Sequence, residues 1–367
     1  MIDTYLREVF DLARQGQGQT SPNPMVGAVL VRDGQVVGRG FHTYQGLKHA
    51  EIYALEQAGA HARDAALYIN LEPCAHEGRT GSCADALIAA GVRRVIAAMQ
   101  DPNPLVAGEG FRKLRAAGVE VEIAGEFTEQ AEKLNEAFVH FMRARRPLVT
   151  LKAALTLDGK IAAPEDNQGW ITSETARAHV QKLRHHSDAI LTGVGTVLAD
   201  DCRLTDRTGL PRSRPLMRIV ADSQLRIPPE SKMITGCRDD LTVLTTSAAS
   251  ADRRAALERH GVKVLTFDGR SGRTDLRRLV EWLGEQKYLS LLVEAGNKLN
   301  GAALDSGVVD KIFFYYAPKI LGGAESLPVV GGLGRRRRVD AILIDKVSLH
   351  NISTDEFAVE GYVRKEL

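Results

Sequence analysis

Three potential metal ligands and one carboxylate lie within residues 49 to 83 of this chain. His49 supplies an imidazole, and Cys74 and Cys83 supply two thiolates. A catalytic zinc ion needs three protein ligands and an open fourth position for water, whose pKa falls from about 15.7 to roughly 7 on the metal. Glu51 stands two residues after the histidine, where it suits proton transfer between that water and a leaving amine better than chelation. These residues predict zinc-assisted hydrolysis.

The order of these residues matches the motif of zinc deaminases, in which a His-x-Glu segment precedes a Pro-Cys pair. Here the first segment begins at His49 and the second ends at Cys74. The usual motif closes with two residues between its cysteines, whereas eight separate Cys74 from Cys83. Because Cys83 is predicted to open a helix, whose N-terminus favours thiolate over thiol, we expect the longer loop to return this sulfur to the metal.

Length and composition narrow the class of protein. A chain of 367 residues exceeds the size at which one hydrophobic core stops growing, so two domains are expected. The 48 basic and 46 acidic residues nearly cancel, which indicates no broad surface for nucleic acid and favours small anionic substrates. Four cysteines, two of them assigned to metal, argue against a disulfide framework and favour a reducing cytoplasm. We expect neither a signal peptide nor a membrane span, because no suitable apolar stretch occurs.

Hydrophobic periodicity predicts alternating helices and strands, which is typical of layered α/β domains. Asp33-Gly34 between two apolar runs predicts a β-hairpin. The basic cluster before Pro147 interrupts the pattern, and the predicted domains are therefore residues 1–145 and 146–367. The second domain is expected to repeat the α/β pattern without repeating the sequence. The predicted helices cover residues 1–16, 83–90, 109–117, 128–142 and 174–185, and the predicted strands cover 25–31, 35–38, 66–71, 94–99, 119–124, 148–155, 189–192, 217–221 and 241–245.

Two glycine-containing segments in the second domain are candidates for phosphate contacts. Gly193 and Gly195 begin like a dinucleotide-binding motif, but the sixth position is Leu198 and no helix-opening glycine follows, so a Rossmann domain is not supported. The segment from Leu291 to Gly301 predicts a buried strand, a turn of small residues and a helix. Backbone amides at such a turn can hold phosphate oxygens, although an ordinary strand-to-helix connection has the same spacing.

Two polar features are predicted to be ordinary surface. The run from Arg335 to Arg338 follows a glycine-rich segment and is expected to form a solvated loop rather than a phosphate site. His185 and His186 are expected to lie on an exposed helix face rather than on a metal.

Further motifs accompany the zinc ligands along the whole chain. They are Pro22-Asn23-Pro24, Leu71-Glu72-Pro73-Cys74, Gly78-Arg79-Thr80, Met99-Gln100-Asp101-Pro102-Asn103-Pro104, Leu157-Asp158-Gly159-Lys160, Trp170-Ile171-Thr172-Ser173, Thr196-Val197-Leu198-Ala199-Asp200-Asp201 and Val293-Glu294-Ala295-Gly296. With them the chain resembles, essentially end to end, the bifunctional riboflavin-biosynthesis deaminase/reductase family. The resemblance implies an α/β chain with an N-terminal cytidine-deaminase-like three-layer domain that binds Zn²⁺ and a C-terminal dihydrofolate-reductase-like domain that binds NADPH. In that family the long loop between the cysteines is usual.

The resemblance also implies, position by position, the residues of two sites. Glu51 would be the catalytic proton carrier of the first, while Lys152 and Asp200 are candidates for polarising or protonating the sugar in the second. The residues implied to contact NADPH are Ala154, Trp170, Thr196, Asp200, Ser223, Gly296, Asn297, Lys298, Leu299, Asn300, Gly301 and Ala302. Those implied to contact substrate are Asn23, Gln168, Arg184, Leu204, Arg207 and Glu294. The guanidinium groups among them suit a ribose 5-phosphate.

The implied reactions are loss of ammonia from 2,5-diamino-6-(ribosylamino)pyrimidinone 5'-phosphate and then NADPH-dependent reduction of the ribosyl chain of 5-amino-6-(phosphoribosylamino)uracil. The expected partner is thus a small phosphorylated pyrimidine rather than nucleic acid or a membrane, and the enzyme is expected to be a cytoplasmic homo-oligomer. Two alternatives stay open: a base deaminase of the tRNA-adenosine type, and a pyrimidine-nucleotide-binding protein with structural zinc. Near-neutral charge and the reductase-like second half argue against the first, and three rather than four ligands argue against the second.

Overall fold

A computed structural model of the chain describes residues 2–76, 81–165 and 169–365. The chain divides into an N-terminal unit, Met1–Arg145 with Pro211–Arg214, and a C-terminal unit, Arg146–Leu210 with Pro215–Leu367. The motif Gly78-Arg79-Thr80 and the substrate candidate Gln168 lie outside the described residues. Among the helices of the described ranges, none combines the length and hydrophobicity that a membrane span requires.

The N-terminal unit contains one five-stranded sheet in the order β2-β1-β3-β4-β5, in which β1 is antiparallel to β2 and β3 while β3, β4 and β5 are parallel. As predicted, Asp33 and Gly34 form the β1–β2 turn, with φ of 51° and 76°. The strands are β1 (Gly27–Arg32), β2 (Gln35–Phe41), β3 (Ala66–Ile69), β4 (Arg94–Ala97) and β5 (Glu120–Ile123). The helices are α1 (Ile2–Gln15), α2 (Ala50–Ala58), α3 (Cys83–Ala89), α4 (Glu109–Ala116), α5 (Thr128–Leu134) and α6 (Glu136–Ala144).

Helices cover both faces of this sheet. Successive side chains of a strand point to opposite faces, and the buried residues separate accordingly. Leu30 packs in one cluster with residues of α2, α3 and α4, whereas its neighbour Val29 packs in another with residues of α1. The helices α5 and α6 contribute Ala131 and Val139 to a third cluster that also contains Phe10 of α1. The three-layer arrangement expected from the resemblance is therefore confirmed.

The single helix predicted over residues 128–142 was wrong. Two helices, α5 and α6, meet at Asn135, which is 3% exposed. The Asn135 side chain accepts a hydrogen bond from the backbone N–H of Met25 (2.8 Å) and donates one to the carbonyl of the same residue (2.9 Å). The break lets one side chain satisfy the backbone of the segment that leads into β1, and a buried polar group needs such partners.

The C-terminal unit contains a nine-stranded sheet in the order β11-β10-β9-β8-β12-β6-β13-β16-β15, parallel from β11 to β13 and antiparallel beyond. The short strands β14 and β7 form a separate two-stranded sheet. The strands are β6 (Leu148–Thr156), β7 (Lys160–Ala162), β8 (Ala189–Gly193), β9 (Met217–Ala221), β10 (Leu241–Thr245), β11 (Lys263–Thr266), β12 (Ser290–Glu294), β13 (Lys311–Ala317), β14 (Leu327–Pro328), β15 (Ile344–Asn351) and β16 (Phe357–Val363). The helices are α7 (Glu174–His185), α8 (Val194–Asp200), α9 (Lys232–Thr235), α10 (Ala251–Glu258), α11 (Leu276–Glu285) and α12 (Asn297–Asp305).

This sheet, too, is covered on both faces, which explains why its central strands are nearly continuous apolar runs. Leu291 and Val293 of β12 pack in a cluster with residues of α11 and α12. Leu292, which points to the opposite face, packs in a cluster with residues of α8, α9 and α10. Because the strands from β9 to β6 are adjacent and parallel, their carboxyl ends meet at one edge, where ligands of open α/β sheets bind.

The structure tests the two features that were predicted to be surface. Arg335 and Arg337 are exposed and form ion pairs with Asp305 and Asp340, both at 2.7 Å, so this run is a surface loop as expected. The prediction for His185 was wrong: it is 2% exposed, and its Nδ1 lies 2.8 Å from a carboxylate oxygen of Asp206. The polar sequence of α7 does not reveal that the chain after Leu204 folds back over this end of the helix.

Candidate active sites

The three predicted metal ligands converge in the N-terminal unit. His49 precedes α2 in an extended conformation, Cys74 lies in the loop after β3, and Cys83 is the first residue of α3. His49 Nδ1 lies 3.2 Å from Cys83 Sγ and 3.6 Å from Cys74 Sγ, and all three ligand atoms are within 4.8 Å of one another. Tetrahedral zinc, with Zn–S about 2.3 Å and Zn–N about 2.0 Å, places its ligands roughly 3.5 to 3.8 Å apart. The donor set and its spacing therefore fit one zinc ion.

The start of α3 holds the two sulfurs together. Ser82 caps this helix by accepting a hydrogen bond from the backbone N–H of Asp85 (3.3 Å), and its hydroxyl donates to the carbonyl of Cys74 (3.2 Å). The backbone N–H of Cys83 points at Cys74 Sγ (3.4 Å). The hydrogen bond from the Cys83 thiol is the main cause that lowers the pKa of Cys74, and the same shared proton raises the pKa of Cys83. Cys74 is thus prepared to bind as thiolate.

Glu51 lies in the first turn of α2 and is 3% exposed. Burial, which disfavours the charged form, is the main cause that raises the pKa of its carboxyl to about 7, and the negative charge of Cys74 adds to the effect. A carboxyl group with a pKa near neutrality can both accept and return a proton at physiological pH. The position of Glu51 beside the ligand cluster therefore suits proton transfer.

His42, at the end of β2, was not singled out from the sequence. It is 3% exposed and lies between Asn23 and the ligand His49. Asn23 Nδ2 donates to His42 Nε2 (3.0 Å), and His42 Nδ1 donates to the carbonyl of Lys48 (2.9 Å), which assigns the tautomer. A single histidine outside any spacing pattern carries no signal in one sequence, so only the fold identifies it.

The motif around Cys74 also has a structural role. Glu72 is 5% exposed, and its carboxylate accepts three backbone N–H groups, from Asp101 (3.0 Å), Gly108 (2.9 Å) and Phe111 (3.2 Å). Gly110 approaches the same loop so closely that an added Cβ would lie 1.9 Å from the carbonyl oxygen of Pro73. The segment from Met99 to α4 thus fixes the loop that presents Cys74.

In the C-terminal unit, Glu294 joins two of the predicted site residues. It ends β12, is 8% exposed, and accepts hydrogen bonds from Lys152 of β6 (3.2 Å) and from Arg184 of α7 (2.7 and 2.9 Å). Burial alone would raise the pKa of Glu294, but the charge of Lys152 and the hydrogen bonds of Arg184 outweigh it and hold this pKa at about 2. Arg184 also donates to the carbonyl of Thr205 (3.1 Å). The three side chains form a buried charged cluster with one excess positive charge.

Four of the predicted cofactor contacts lie near or beyond the carboxyl ends of four adjacent strands. Ala154 lies near the end of β6, and Thr196, Ser223 and Gly296 follow β8, β9 and β12. A Cβ at Gly296 would lie 3.7 Å from Thr196 Oγ1, so the turns after β8 and β12 face each other. Their glycines and helix starts supply backbone N–H groups suited to phosphate oxygens. The carboxyl edge of the sheet therefore suits the phosphate groups of a nucleotide cofactor.

Not all residues of the predicted cofactor segment from Gly296 to Ala302 face the carboxyl edge of the sheet. Asn300 is fully buried, and its side chain donates to the carbonyl of Val329 (2.9 Å). A Cβ at Gly301 would lie 2.2 Å from the carbonyl oxygen of Gly331. Asn300 and Gly301 thus hold the loop of residues 329–331 against α12, while the residues at the helix start remain near the edge.

The remaining predicted residues are more scattered. Asp200 is exposed at the end of α8 and, within the described ranges, neither hydrogen-bonds nor ion-pairs with Lys152. Leu204 is buried with φ of 49°. Arg207 is exposed, and its backbone N–H donates to Gln181 Oε1 (2.9 Å). The structure therefore brings Lys152, Arg184 and Glu294 together but leaves Asp200 and Arg207 at the surface.

Comparison with known proteins defines the class. A family described as the cytidine and deoxycytidylate deaminase zinc-binding region matches residues 1–99, and the RibD C-terminal domain matches residues 147–355. Together with the cluster of His49, Cys74 and Cys83, the first match supports a Zn²⁺ site, and the second indicates a nucleotide cofactor. The chain thus combines a zinc-binding deaminase domain with a reductase domain.

Full-length relatives give the family. The riboflavin biosynthesis protein RibD of Actinobacillus pleuropneumoniae is 41% identical over 351 residues, covering 96% of this chain and 93% of that protein, and RibD of Escherichia coli strain K12 is 43% identical, covering 90% and 91%. The structure of Acinetobacter baumannii RibD matches with a TM-score of 0.88 at 34% identity, covering 99% of both chains. This chain belongs to the RibD family and is a bifunctional deaminase and reductase of riboflavin biosynthesis.

Proposed function

We propose that the two sites act in succession on one small phosphorylated pyrimidine. A Thermotoga maritima structure with a TM-score of 0.81, 32% identity and 99% coverage of both chains is titled a diaminohydroxyphosphoribosylaminopyrimidine deaminase/5-amino-6-(5-phosphoribosylamino)uracil reductase. We assign residues 1–145 to the deaminase domain and 146–367 to the reductase domain. A cytoplasmic location is also proposed, and the four free thiols of the chain support it.

The arrangement of three ligand side chains beside a buried carboxyl group is the observation that carries the deaminase proposal. His49, Cys74 and Cys83 would hold Zn²⁺, which supplies the Lewis acidity that makes water nucleophilic near neutral pH. Glu51 takes a proton from the attacking water and delivers it to the amine of the pyrimidine. A C–O bond forms, the C–N bond breaks and ammonia leaves. Asn23, fixed by His42, would orient the substrate.

In the reductase domain, NADPH would supply the hydride that converts the ribosyl chain into the ribityl chain. Its proposed contacts at the carboxyl edge of the sheet are Ala154 on β6 and the residues that follow β8, β9 and β12. Lys152, held 3.2 Å from Glu294, would donate a proton to the sugar as its ring opens, with Asp200 as the second candidate donor. Because Arg184 is engaged with Glu294 and Thr205, the exposed Arg207 is the better candidate for the substrate phosphate.

The proposal is tested by a coupled assay on the diaminopyrimidine substrate in which ammonia and NADPH absorbance are followed separately. We expect ammonia release without NADPH, and NADPH oxidation only after deamination. Ammonia release from tRNA instead of the pyrimidine would favour a nucleic-acid deaminase. Zinc bound by four protein atoms with no ammonia release would favour a structural metal site.

A further inference from the structure

Trp170 combines high exposure with an unusually well-fixed backbone. Its side chain is 69% exposed although it precedes α7 in an irregular segment. The carbonyl of Trp170 accepts a hydrogen bond from Lys319 Nζ (2.8 Å). Three residues later, the backbone N–H of Ser173 donates to the buried carboxylate of Glu356 (2.7 Å), and the hydroxyl of Ser173 donates to the same carboxylate. The backbone that carries the indole is thus tethered at both ends of the segment.

Arg177, one turn into α7, supports the indole from one side. Its Cζ lies 5.0 Å from the centroid of the Trp170 ring, within the range of a cation–π interaction. Its Nη1 donates to the carbonyl of Thr172 (3.1 Å), which fixes the guanidinium relative to the same segment. One face of the indole therefore has a partner within the protein, whereas most of the side chain remains open to a ligand.

The tethers place Trp170 at one end of the proposed cofactor edge. Lys319 follows β13, and its carbonyl accepts from the backbone N–H of Leu157, which follows β6 (2.8 Å). Ser223, the proposed contact at the other end, follows β9, which is three strands from β6 in the sheet, or roughly 14 Å at usual strand spacing. The charged cluster of Lys152 and Glu294 bridges β6 and β12. The hydride-donating ring would lie near that cluster, which shares β6 with the tether of Trp170, so Trp170 would lie on the nicotinamide side.

We propose that Arg177 is a positioning residue that holds the Trp170 indole as a stacking surface for the nicotinamide ring and thereby favours the reduced over the oxidised cofactor. This inference rests on the proposed NADPH-dependent reduction. The reduced ring is neutral, whereas the oxidised ring carries a positive charge, which the guanidinium on the far side of the indole repels. The same residue thus promotes binding before hydride transfer and release after it.

The test uses the full-length protein with Trp282→Phe, which leaves Trp170 as the sole tryptophan of the two in the chain. NADPH is expected to quench Trp170 emission. Arg177→Met keeps an apolar stem but removes the charge, and we expect a KM for NADPH raised roughly 3- to 10-fold with little change in kcat. The preference for NADPH over NADP⁺, measured as KM against the product-inhibition constant, should fall roughly 2- to 5-fold. Arg177→Lys keeps the charge, so its KM for NADPH and its preference for NADPH over NADP⁺ should lie between those of the wild type and of Arg177→Met.

Lys263→Met, made in the protein that keeps Trp282, is the matched control for the kinetic measurements, because Lys263 lies 4.7 Å from the ring centroid of Trp282 in a similar cation–π pair remote from the proposed site. It should leave the KM for NADPH unchanged. Thermal unfolding of each variant separates misfolding from a loss of positioning, and Glu356→Gln, which weakens the other tether, should raise the same KM if Arg177→Met does not fold.

Three results would overturn the inference. They are an Arg177→Met enzyme with the wild-type KM for NADPH, an unchanged preference for NADPH over NADP⁺, and quenching of Trp170 by the deaminated pyrimidine but not by NADPH. A wild-type enzyme that oxidises no NADPH would instead refute the proposed reduction itself, so the two failures are distinguishable.

Discussion

The imidazole of His42 packs edge-on against that of His49, with ring centroids 5.3 Å apart and an interplanar angle of 81°. Both nitrogens of His42 are engaged elsewhere, by Asn23 and by the Lys48 carbonyl. His42 therefore holds three parts of the site in place: the imidazole ring of His49, the side chain of Asn23 and the loop before α2.

We expect His42→Ala to lower ammonia release roughly 10- to 100-fold, in line with the loss of outer-shell support at other metal sites. Metal analysis should show reduced zinc content. NADPH oxidation on deaminated substrate should be unchanged, since the reductase site lies in the other unit. The exposed His61 in the same unit provides the control, and His61→Ala should release ammonia at the wild-type rate. Equal activity of the two variants would refute the role of His42.

Glu51→Gln should lower the rate of ammonia release at least about 100-fold, because an amide cannot carry the proton from water to the amine. Zinc content and NADPH oxidation on deaminated substrate should remain. Glu56→Gln, on an exposed position of the same helix, is the matched control. Loss of both activities in Glu51→Gln would contradict the assignment of two separate sites.

The stability of the C-terminal unit should fall in acid through Glu294. Its pKa of about 2 in the folded protein lies below the ordinary 4.5, so the unfolded chain takes up this proton first. The resulting stabilisation, roughly 3 kcal/mol, is fully present above pH 4.5 and is lost as the pH falls from 4.5 towards 2. Urea unfolding between pH 6 and pH 3 measures it. Glu294→Gln should be less stable at pH 6, because the buried charges of Lys152 and Arg184 lose the carboxylate that compensates them, and should show a smaller pH dependence.

Gly110→Ala should destabilise the N-terminal unit by about 1 to 3 kcal/mol, because its Cβ would lie 1.9 Å from the Pro73 carbonyl oxygen and α4 would have to move. The displaced loop should also weaken zinc binding at Cys74. Gly125→Ala is the control, since a Cβ there meets no atom within 4 Å. Denaturant unfolding and zinc titration compare the two, and equal stability would show that the loop moves without cost.

The zinc ligands could be predicted from the sequence because metal chemistry restricts residue types, and the hairpin could be predicted because Asp33-Gly34 tolerates positive φ. His42 and Glu72 could not be assigned roles in the same way, since they act through position and have common types. The break at Asn135 depends on Met25, 110 residues earlier in the chain. The burial of His185 depends on Asp206, and helix periodicity contains no information about such long-range contacts.

The buried charged cluster of the C-terminal unit shows the same limit of sequence-based prediction. Lys152 and Glu294 are directly paired in the β6–β12 register although 142 residues separate them in the chain. Their charges alone would predict exposed residues, because buried Lys and Glu are rare without partners. Only the strand order reveals that each is the other's partner.

The three ligands of the N-terminal unit come from three separate elements, and His49 and Cys83 are 34 residues apart in the chain. A bound ion would therefore act as a cross-link that closes two loops and removes conformational freedom from the unfolded chain. With the ion bound, three segments would unfold cooperatively: the start of α2, the loop after β3 and the start of α3. Metal supply would govern the lifetime of this unit as well as its chemistry.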